Sequence, residues 1–374
     1  MADGDCRNET VVSTFMLLEF GSIPEVQSLL FFLFFTIYVM TVIGNSLILV
    51  LVVADQHLHT PMYFFLCNLS CLEICYSSTI LPRMLSSFLS GDKSISIGSC
   101  ITQLYFFGSL AVTESFLLSA MSYDRYLAVC KPLHYRAAMS SRFCLQLVAW
   151  SWMSGLLVMA ISCFLILQHS FCGPRFINHF FCDFTPLIKL SCCDTSLTEM
   201  VVSILSSLCA LPPFLLTLVS YTCVITTVLR MSSTTGTQKA FSTCFSHLIV
   251  ITVFYGSLIT VYILPRTRTL RALNKVFSVF YTVVTPLLNP LIYSLRNREV
   301  KDALWKVVKK CENVLKRIPL EPKWTGPSQV LLTSFTAINI KEEAAWIHHT
   351  RVKKTSLGEG KLESQGLLKL KLYG

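Results

Sequence analysis

Apolar residues recur along this chain in seven long windows, separated by short polar stretches. The windows lie at 26–53, 60–85, 98–130, 143–167, 197–229, 240–264 and 273–295. Each is long enough to supply the roughly 20 apolar residues that a helix needs to cross a bilayer. The pattern therefore predicts an all-α membrane protein, a bundle of seven transmembrane helices whose odd number places the chain termini on opposite sides.

The polar segments between the windows indicate the orientation. With the N-terminus outside, the inner segments carry more Lys and Arg than the outer ones, which is the bias of cytoplasmic loops, although the basic residues at 266–275 oppose it. Acidic residues such as Asp3 precede the first window without a basic n-region, so we expect no cleavable signal peptide. Asn8 begins an Asn-Glu-Thr sequon, which suits glycosylation of an external N-terminus.

Composition narrows the class of protein further. The chain is 53% hydrophobic and 14% charged, whereas soluble domains carry about 25% charged residues. A net charge of +10 can indicate nucleic-acid binding, but the densest basic run is 296–317, directly after the last window. Anionic lipid attracts basic residues in that position. We therefore expect membrane lipid, and not nucleic acid, as the partner of this segment.

Six of the 16 cysteines would face the oxidising side of the membrane, where disulfides persist. They are Cys6, Cys100, Cys172, Cys182, Cys192 and Cys193. A bridge from Cys100 to Cys182 would pin the long connection at 168–196 over the bundle, but connectivity does not follow from sequence alone. His179, Cys182 and Asp183 are potential metal ligands, yet no second pair of ligands accompanies them, and we expect no metal.

Four polar residues lie inside the apolar windows and form a possible intramembrane cluster: Asn45, Glu73, Glu114 and Asn289. A buried carboxylate costs several kcal/mol unless it is protonated, paired or bound to a cation. Two interpretations remain open. The four residues either hold the helices together through local hydrogen bonds, or they form a cation- or proton-sensitive hinge beside the two prolines that flank Asn289, which are expected to kink that helix.

Four longer motifs then occur in order along the chain. They are Leu-His-Thr-Pro-Met-Tyr-Phe-Phe-Leu at 58–66, Ser-Tyr-Asp-Arg-Tyr-Leu-Ala-Val-Cys at 122–130, Lys-Ala-Phe-Ser-Thr-Cys-x-Ser-His-Leu at 239–248 and Pro-Leu-Leu-Asn-Pro-Leu-Ile-Tyr-Ser-Leu-Arg-Asn at 286–297. Over residues 8–312 the chain resembles the olfactory receptors, a family of rhodopsin-like G-protein-coupled receptors. The His-Phe-Phe-Cys-Asp segment at 179–183 is similar to the tetrapod, airborne-odorant class.

The resemblance implies disulfides Cys100–Cys182 and Cys172–Cys192, with Cys6 and Cys193 left unassigned. It also implies an odorant pocket in the outer half of the bundle. The candidate ligand-binding residues are Leu104, Phe107, Gly108, Ala111, Val112, Val202, Leu205, Ser206, Cys209, Tyr255, Leu258, Ile259, Tyr262, Ser278 and Thr282. None is charged, so small, mostly neutral volatile organic molecules are the expected ligands, and an apolar lining with a few hydroxyls is typical of small-molecule sites.

The resemblance further implies a heterotrimeric stimulatory G protein as inner partner, with rising cyclic AMP as output. The implied coupling residues are Asp124, Arg125, Tyr126, Tyr221, Lys239, His247, Asn289, Pro290 and Tyr293. Phe107 and Arg125 are about 27 Å apart along one helix, so the signal requires a helix rearrangement.

We find no catalytic motif and expect no cofactor. A non-olfactory receptor for a small metabolite is the alternative with the same fold, and a transporter would instead require internal repeats.

The expected organisation has four parts: an extracellular N-terminus at 1–25, the seven-helix receptor domain at 26–296, a basic juxtamembrane helix at 297–317 and a cytoplasmic tail at 318–374. The protein is expected in the plasma membrane as a multi-pass protein. The tail is longer than the resemblance implies. It is mixed in composition, and we expect it to be disordered.

Overall fold

A computed structural model describes residues 13–18, 24–172, 175–230, 248–260, 275–296, 298–317, 324–333, 337–340, 347–348, 352–354 and 369–373. The helices are α1 Pro24–Ala54, α2 Pro61–Ser90, α3 Ile97–Cys130, α4 Tyr135–Ala138, α5 Ser141–Leu167, α6 Phe184–Ile188, α7 Ser196–Arg230, α8 Leu248–Thr260, α9 Thr285–Arg296 and α10 Arg298–Arg317. A π-helical turn, Phe280–Val284, leads into α9, and a 3₁₀ turn, Gln56–Leu58, joins α1 to α2.

The predicted helical membrane bundle is confirmed by this architecture. Among the described residues, six helices are long and apolar enough to cross a bilayer: α1, α2, α3, α5, α7 and the stretch Lys275–Ile292 that contains the π-helical turn. The sixth predicted window, 240–264, is described only as the shorter apolar helix α8. The described helices therefore follow the hydrophobic pattern window by window.

Local sequence fixes several helix ends. Pro61 occupies the first turn of α2, where its missing N–H costs nothing. Gly91 ends α2 at φ +71° and donates its N–H to the Ser87 carbonyl, which is the left-handed cap that glycine favours. Ser96 precedes α3, and its hydroxyl accepts a 3.2 Å hydrogen bond from the N–H of Ser99.

Helix α3 lies at the centre of the bundle, packed against α2, α5 and α7. Its approach to α5 depends on a glycine, because a Cβ at Gly155 would lie 2.3 Å from the Ser109 carbonyl oxygen. The outer faces of the surrounding helices carry large apolar side chains, such as Trp150 at 66% and Leu215 at 57% exposure. Since soluble proteins rarely expose such continuous apolar faces, these faces are in contact with lipid.

A small sheet and disulfides close one end of the bundle. Strand β1, Thr14–Leu17, pairs antiparallel with β2, Ser94–Ser96, and parallel with β3, Phe176–Ile177. We call this sheet and the connection 168–195 the outer cap. The disulfides Cys100–Cys182 and Cys172–Cys192 hold it, in the pairing that the resemblance implied. Cys193, which the resemblance left unassigned, is itself disulfide-bonded.

The proline-rich end of the last span contains an irregular turn. It is the π-helical turn Phe280–Val284, where the Thr285 hydroxyl donates to the Phe280 carbonyl at 3.1 Å. The kink expected at the two prolines stays a prediction. Pro286 follows and has no N–H for the regular helical ladder. Such π-turns are frequent at functional sites. Helix α7, by contrast, continues as one helix through Pro212-Pro213.

The chain divides into two compact units, Met1–Leu304 and Trp305–Gly374. The second contains an antiparallel sheet of order β6-β5-β4-β8-β7. Its strands are β4 Trp324–Thr333, β5 Ala337–Ile340, β6 Ile347–His348, β7 Val352–Lys354 and β8 Lys369–Tyr373. This differs from the disordered tail that we expected, because β4 pairs with β8 across a long sequence separation and local composition does not reveal such pairing.

Candidate functional site

Four aromatic rings meet in the outer half of the bundle, below the outer cap. Phe107 on α3 lies at their centre, with ring centroids 4.9 Å from Tyr76 on α2, 4.7 Å from Phe181 of the outer cap and 6.2 Å from Tyr281 in the π-helical turn. All four side chains are buried. Tilted pairs at these distances contribute about 0.5–1.5 kcal/mol each beyond burial. We call this group the aromatic cluster.

His179 of the outer cap joins the aromatic cluster to the last span. Its Nε2 lies 3.2 Å from the Ser278 hydroxyl, and its ring meets Phe181 edge-on at 4.4 Å. Burial, with a smaller contribution from Lys275, lowers the pKa of His179 from 6.5 to about 3. The imidazole is therefore neutral at physiological pH. A metal site is excluded at Cys182, because that sulfur is in a disulfide and cannot act as a thiolate ligand.

Gln103 positions the outer cap above the aromatic cluster, and it was not among the predicted site residues. Its amide nitrogen donates to the Thr79 carbonyl on α2 at 2.9 Å, and its amide oxygen accepts the backbone N–H of Cys182 at 3.0 Å. One side chain on α3 therefore joins α2 to the outer cap. A polar residue one turn before Phe107, on the same face of α3, is the only signal that its sequence offers.

The other candidate ligand residues do not form one lining. Leu104 belongs to the apolar core of the outer cap. Gly108 is directed at α5, because a Cβ there would lie 2.5 Å from the Met159 methyl carbon. Tyr255 donates to the Ser115 carbonyl at 3.2 Å, and Ile259 lies with it in a separate cavity between α7 and α8.

The remaining candidates have less specific surroundings. Thr282 is buried, and its hydroxyl donates to the Ser278 carbonyl one turn earlier, at 2.7 Å. Val202 is buried and Ser206 is exposed. Five are half-buried: Ala111, Val112, Leu205, Cys209 and Leu258. Tyr262 lies outside the described residues.

The predicted intramembrane polar cluster is assembled below the aromatic rings. All four members are buried to 1% exposure or less. Asn289 donates to Glu73 across α9 and α2, and Asn45 donates to the Pro286 carbonyl at 3.2 Å. Glu114 is also buried, but its carboxyl oxygens have no hydrogen-bond partner among the described residues. The bonds of Asn289 and Asn45 therefore link α1, α2 and α9, and Glu114 takes no part in them.

At the inner end of α3, Asp124 is held from two sides. Arg125 donates to its Oδ2 and Tyr135 to its Oδ1, each at 2.7 Å. The Asp124 side chain has 0% exposure and that of Arg125 15%. Burial and the Asp124 carboxylate raise the pKa of Tyr135. We call these three residues the inner latch. Tyr135, on the short helix α4, was not among the predicted residues.

The other predicted coupling residues have different surroundings, and some of them lie outside the described residues. Tyr126 stacks on Tyr123 with ring centroids 6.2 Å apart, and Tyr221 on α7 is buried. Pro290 packs near α1, since a Cβ at Gly44 would lie 3.0 Å from the Pro290 Cβ. Lys239, His247, the Tyr293 side chain and the sequon residue Asn8 are outside the described residues.

Comparison with known proteins gives two family matches in different parts of the chain. A family model described as olfactory receptor matches residues 34–311. A second, described as the murine leukemia virus integrase C-terminal domain, matches residues 314–357. The two matches are adjacent and do not overlap.

Curated relatives agree with the first match. Olfactory receptor 2AP1 from Homo sapiens is 46% identical over 308 residues, which are 82% of this chain and 100% of the relative. Olfactory receptor 6B1 from Homo sapiens is 48% identical over 303 residues, 81% of this chain and 97% of the relative. Olfactory receptor 5M5 from Mus musculus is 45% identical over 310 residues, 83% of this chain and 97% of the relative. Together with the helical bundle, these matches identify the chain as a member of the olfactory receptor family, a multi-pass G-protein-coupled receptor of the plasma membrane and not an enzyme.

Proposed function

We propose that this receptor binds small, mostly neutral volatile organic molecules and activates a stimulatory G protein, which raises cyclic AMP. The observation that carries the proposal is the aromatic cluster around Phe107, with the neutral His179 and the Ser278 hydroxyl beside it. This end of the bundle offers ring faces and a few neutral hydrogen-bonding groups. That combination suits an alcohol, aldehyde, ketone or ester better than an ion.

The expected affinity is modest. A ligand of about 12 heavy atoms at about 0.4 kcal/mol each gains about 5 kcal/mol, which corresponds to a Kd on the order of 100 µM. Most of that free energy would come from apolar contact with the rings, because the neutral groups supply only one or two hydrogen bonds. Recognition is therefore expected to be broad within one range of molecular size.

Helix α3 provides the route from ligand to G protein. Phe107 and Glu114 are seven residues apart, so they lie on one face of the helix, and Asp124 of the inner latch follows on the same helix. A shift at the aromatic cluster would thus act first on the polar cluster and then on the latch. Release of Arg125 from Asp124 would free its guanidinium for the G protein. The required element is a two-state rearrangement of packed helices.

The test is a cyclic AMP screen of a diverse odorant panel in cells with measured surface expression. Neutral volatile molecules should raise cyclic AMP in the natural receptor, and Phe107→Ala should weaken the response at least tenfold. Arg125→Ala should abolish it. Arg142→Ala is the matched control, because Arg142 is an exposed arginine at the inner start of α5. Full signalling by Arg125→Ala, or responses to peptides or amines alone, would contradict the proposal.

A further inference from the structure

A cavity of about 240 Å³ lies between helices α7 and α8, away from the aromatic cluster. Ten described residues line it, and none of the ten is charged. Phe214 and Leu218 form the α7 wall, and Ile251, Tyr255 and Gly256 form the α8 wall. Hydroxyl groups lie along its edge, but the surface that it presents is almost wholly apolar.

The open side of this cavity faces the lipid. Leu218 in its wall is 47% exposed, and Leu215 and Val219 beside it are 57% and 60% exposed. These side chains lie within the apolar span Ser196–Arg230. Water is a poor occupant of an apolar cavity, so an occupant of this one would come from the membrane.

Gly256 lines the cavity without packing against a neighbouring helix. A Cβ built at this position meets no atom within 4 Å, whereas the same atom at Gly155 or Gly108 would collide with a neighbouring helix. Gly256 is therefore not required for helix packing among the described residues. It lies inside helix α8, where glycine costs about 1 kcal/mol relative to alanine. An unneeded glycine in a helix, lining a cavity, is consistent with a binding site.

We propose that the α7–α8 cavity is a second ligand site, which binds a neutral, apolar small molecule dissolved in the membrane. An apolar cavity of about 150 Å³ binds benzene, so a cavity of about 240 Å³ accommodates about ten carbon atoms. The hydroxyls of Thr217 and Tyr255 at its edge allow the occupant a single alcohol or carbonyl group. A charged headgroup has no counterpart among the described lining residues.

The position of the site indicates what its occupant does. Tyr255 belongs to the proposed odorant residues and Tyr221 to the proposed coupling residues, and both line the cavity. Tyr255 also reaches α3 through its bond to Ser115. An occupant therefore packs between α7 and α8 at the level where these helices would separate on activation, and it stabilises their present spacing.

Photolabelling tests the proposal without depending on signalling. The full-length protein is placed in phosphatidylcholine nanodiscs with a diazirine derivative of 1-decanol, irradiated and mapped by peptide mass spectrometry. Adducts are expected on Leu218 and Ile251. Excess 1-decanol should reduce them at least fivefold and leave adducts on Leu215 within twofold, because Leu215 reports contact with bulk lipid.

Variants test the location of the site. Gly256→Leu should remove the saturable adducts by filling the cavity, and Gly98→Leu is the matched control, because a Cβ at Gly98 also meets no atom within 4 Å. Gly256→Val replaces the leucine variant if thermal unfolding shows that the latter is misfolded, because its two methyl groups still enter the open space at this position. Adducts in the cavity that do not saturate would overturn the proposal. So would labelling by a photoactivatable phospholipid that decanol cannot displace, since the occupant would then be an acyl chain.

Discussion

The hydroxyl of Tyr135 donates a 2.7 Å hydrogen bond to Oδ1 of Asp124. This bond joins the loop after α3 to the carboxylate that also accepts Arg125. A buried carboxylate needs such partners, because an ionised oxygen without a donor costs several kcal/mol. Tyr135 thus stabilises the charge that retains Arg125, and the inner latch consists of three residues.

Replacement of Tyr135 by phenylalanine should weaken the latch and raise signalling without odorant. A hydrogen bond to a charged group contributes about 1.5–3 kcal/mol. If that free energy favours the resting state, its loss increases the active fraction by about tenfold or more, since 1.4 kcal/mol is a factor of ten. The measurement is basal cyclic AMP per receptor at the cell surface.

Tyr123→Phe is the matched control for this prediction. This variant also removes one tyrosine hydroxyl, but from Tyr123, whose ring stacks on Tyr126. Both Asp124 oxygens keep their bonds to Tyr135 and Arg125. Basal cyclic AMP should stay at the natural level. Equal basal signalling in Tyr135→Phe and Tyr123→Phe would show that the bond from Tyr135 to Asp124 does not stabilise the resting state.

The bond from Asn289 to Glu73 should stabilise the folded protein measurably. Both groups are buried, at 1% and 0% exposure, and Asn289→Ala would leave the Glu73 carboxyl without this donor. The cost of such a loss is about 1–3 kcal/mol. The measurement is the thermal unfolding of the purified protein in detergent, compared with the natural chain.

A double-mutant cycle separates this bond from general packing. In a Glu73→Leu background there is no carboxyl left to satisfy, so Asn289→Ala should cost at least 1 kcal/mol less than it does alone. Residues in one hydrogen-bond network couple in this way, and distant ones do not. Additive effects of the two changes would show that the bond contributes nothing specific to stability.

His179 should make the fold sensitive to acid. Its pKa is lowered from 6.5 to about 3 by burial, so the folded state stays neutral while the unfolded state binds a proton below about pH 6.5. Stability is therefore complete above pH 6.5 and falls as the pH drops toward 3, by up to about 1.4 kcal/mol per pH unit. His179→Asn should lose less thermal stability between pH 7.5 and 5.0 than the natural chain does.

His134→Asn provides the comparison for that experiment. His134 is exposed, and its replacement should leave the natural pH dependence unchanged. If the melting temperature of the natural chain falls no more steeply with acid than that of His179→Asn, His179 is not the source of the acid sensitivity. In that case burial of the imidazole would not be coupled to folding.

The hydrophobic pattern predicted the spans because each helix buries one side and exposes the other to lipid along its whole length. Helix α2, for example, was expected at 60–85 and spans Pro61–Ser90. The sequon and two coupling residues, Lys239 and His247, stay predictions, since they lie outside the described residues. The tail sheet was not predicted, because its pairing is non-local.

The candidate site was less accessible to sequence reasoning than the fold. Residue type and helical spacing drew attention to Phe107, but they did not indicate that Gly108 faces Met159 on α5. Helical spacing of three or four residues covers a broad face, and the neighbouring helix decides which part of it is buried. Tyr135 and Gln103 were missed for a similar reason, since each acts through a partner on another element.

Removal of the tail after Arg317 should leave surface expression and odorant-stimulated cyclic AMP unchanged. The olfactory receptor match ends at residue 311, and the second match begins at 314. The receptor part also forms a compact unit that ends at Leu304.

Truncation after Arg296 is the contrasting variant, because it also removes Val300 and Ala303, which are 2% and 1% exposed. The loss of two buried side chains should reduce surface expression severalfold, as measured by antibody labelling of intact cells. Equal loss from both truncations would instead assign the tail a role in trafficking.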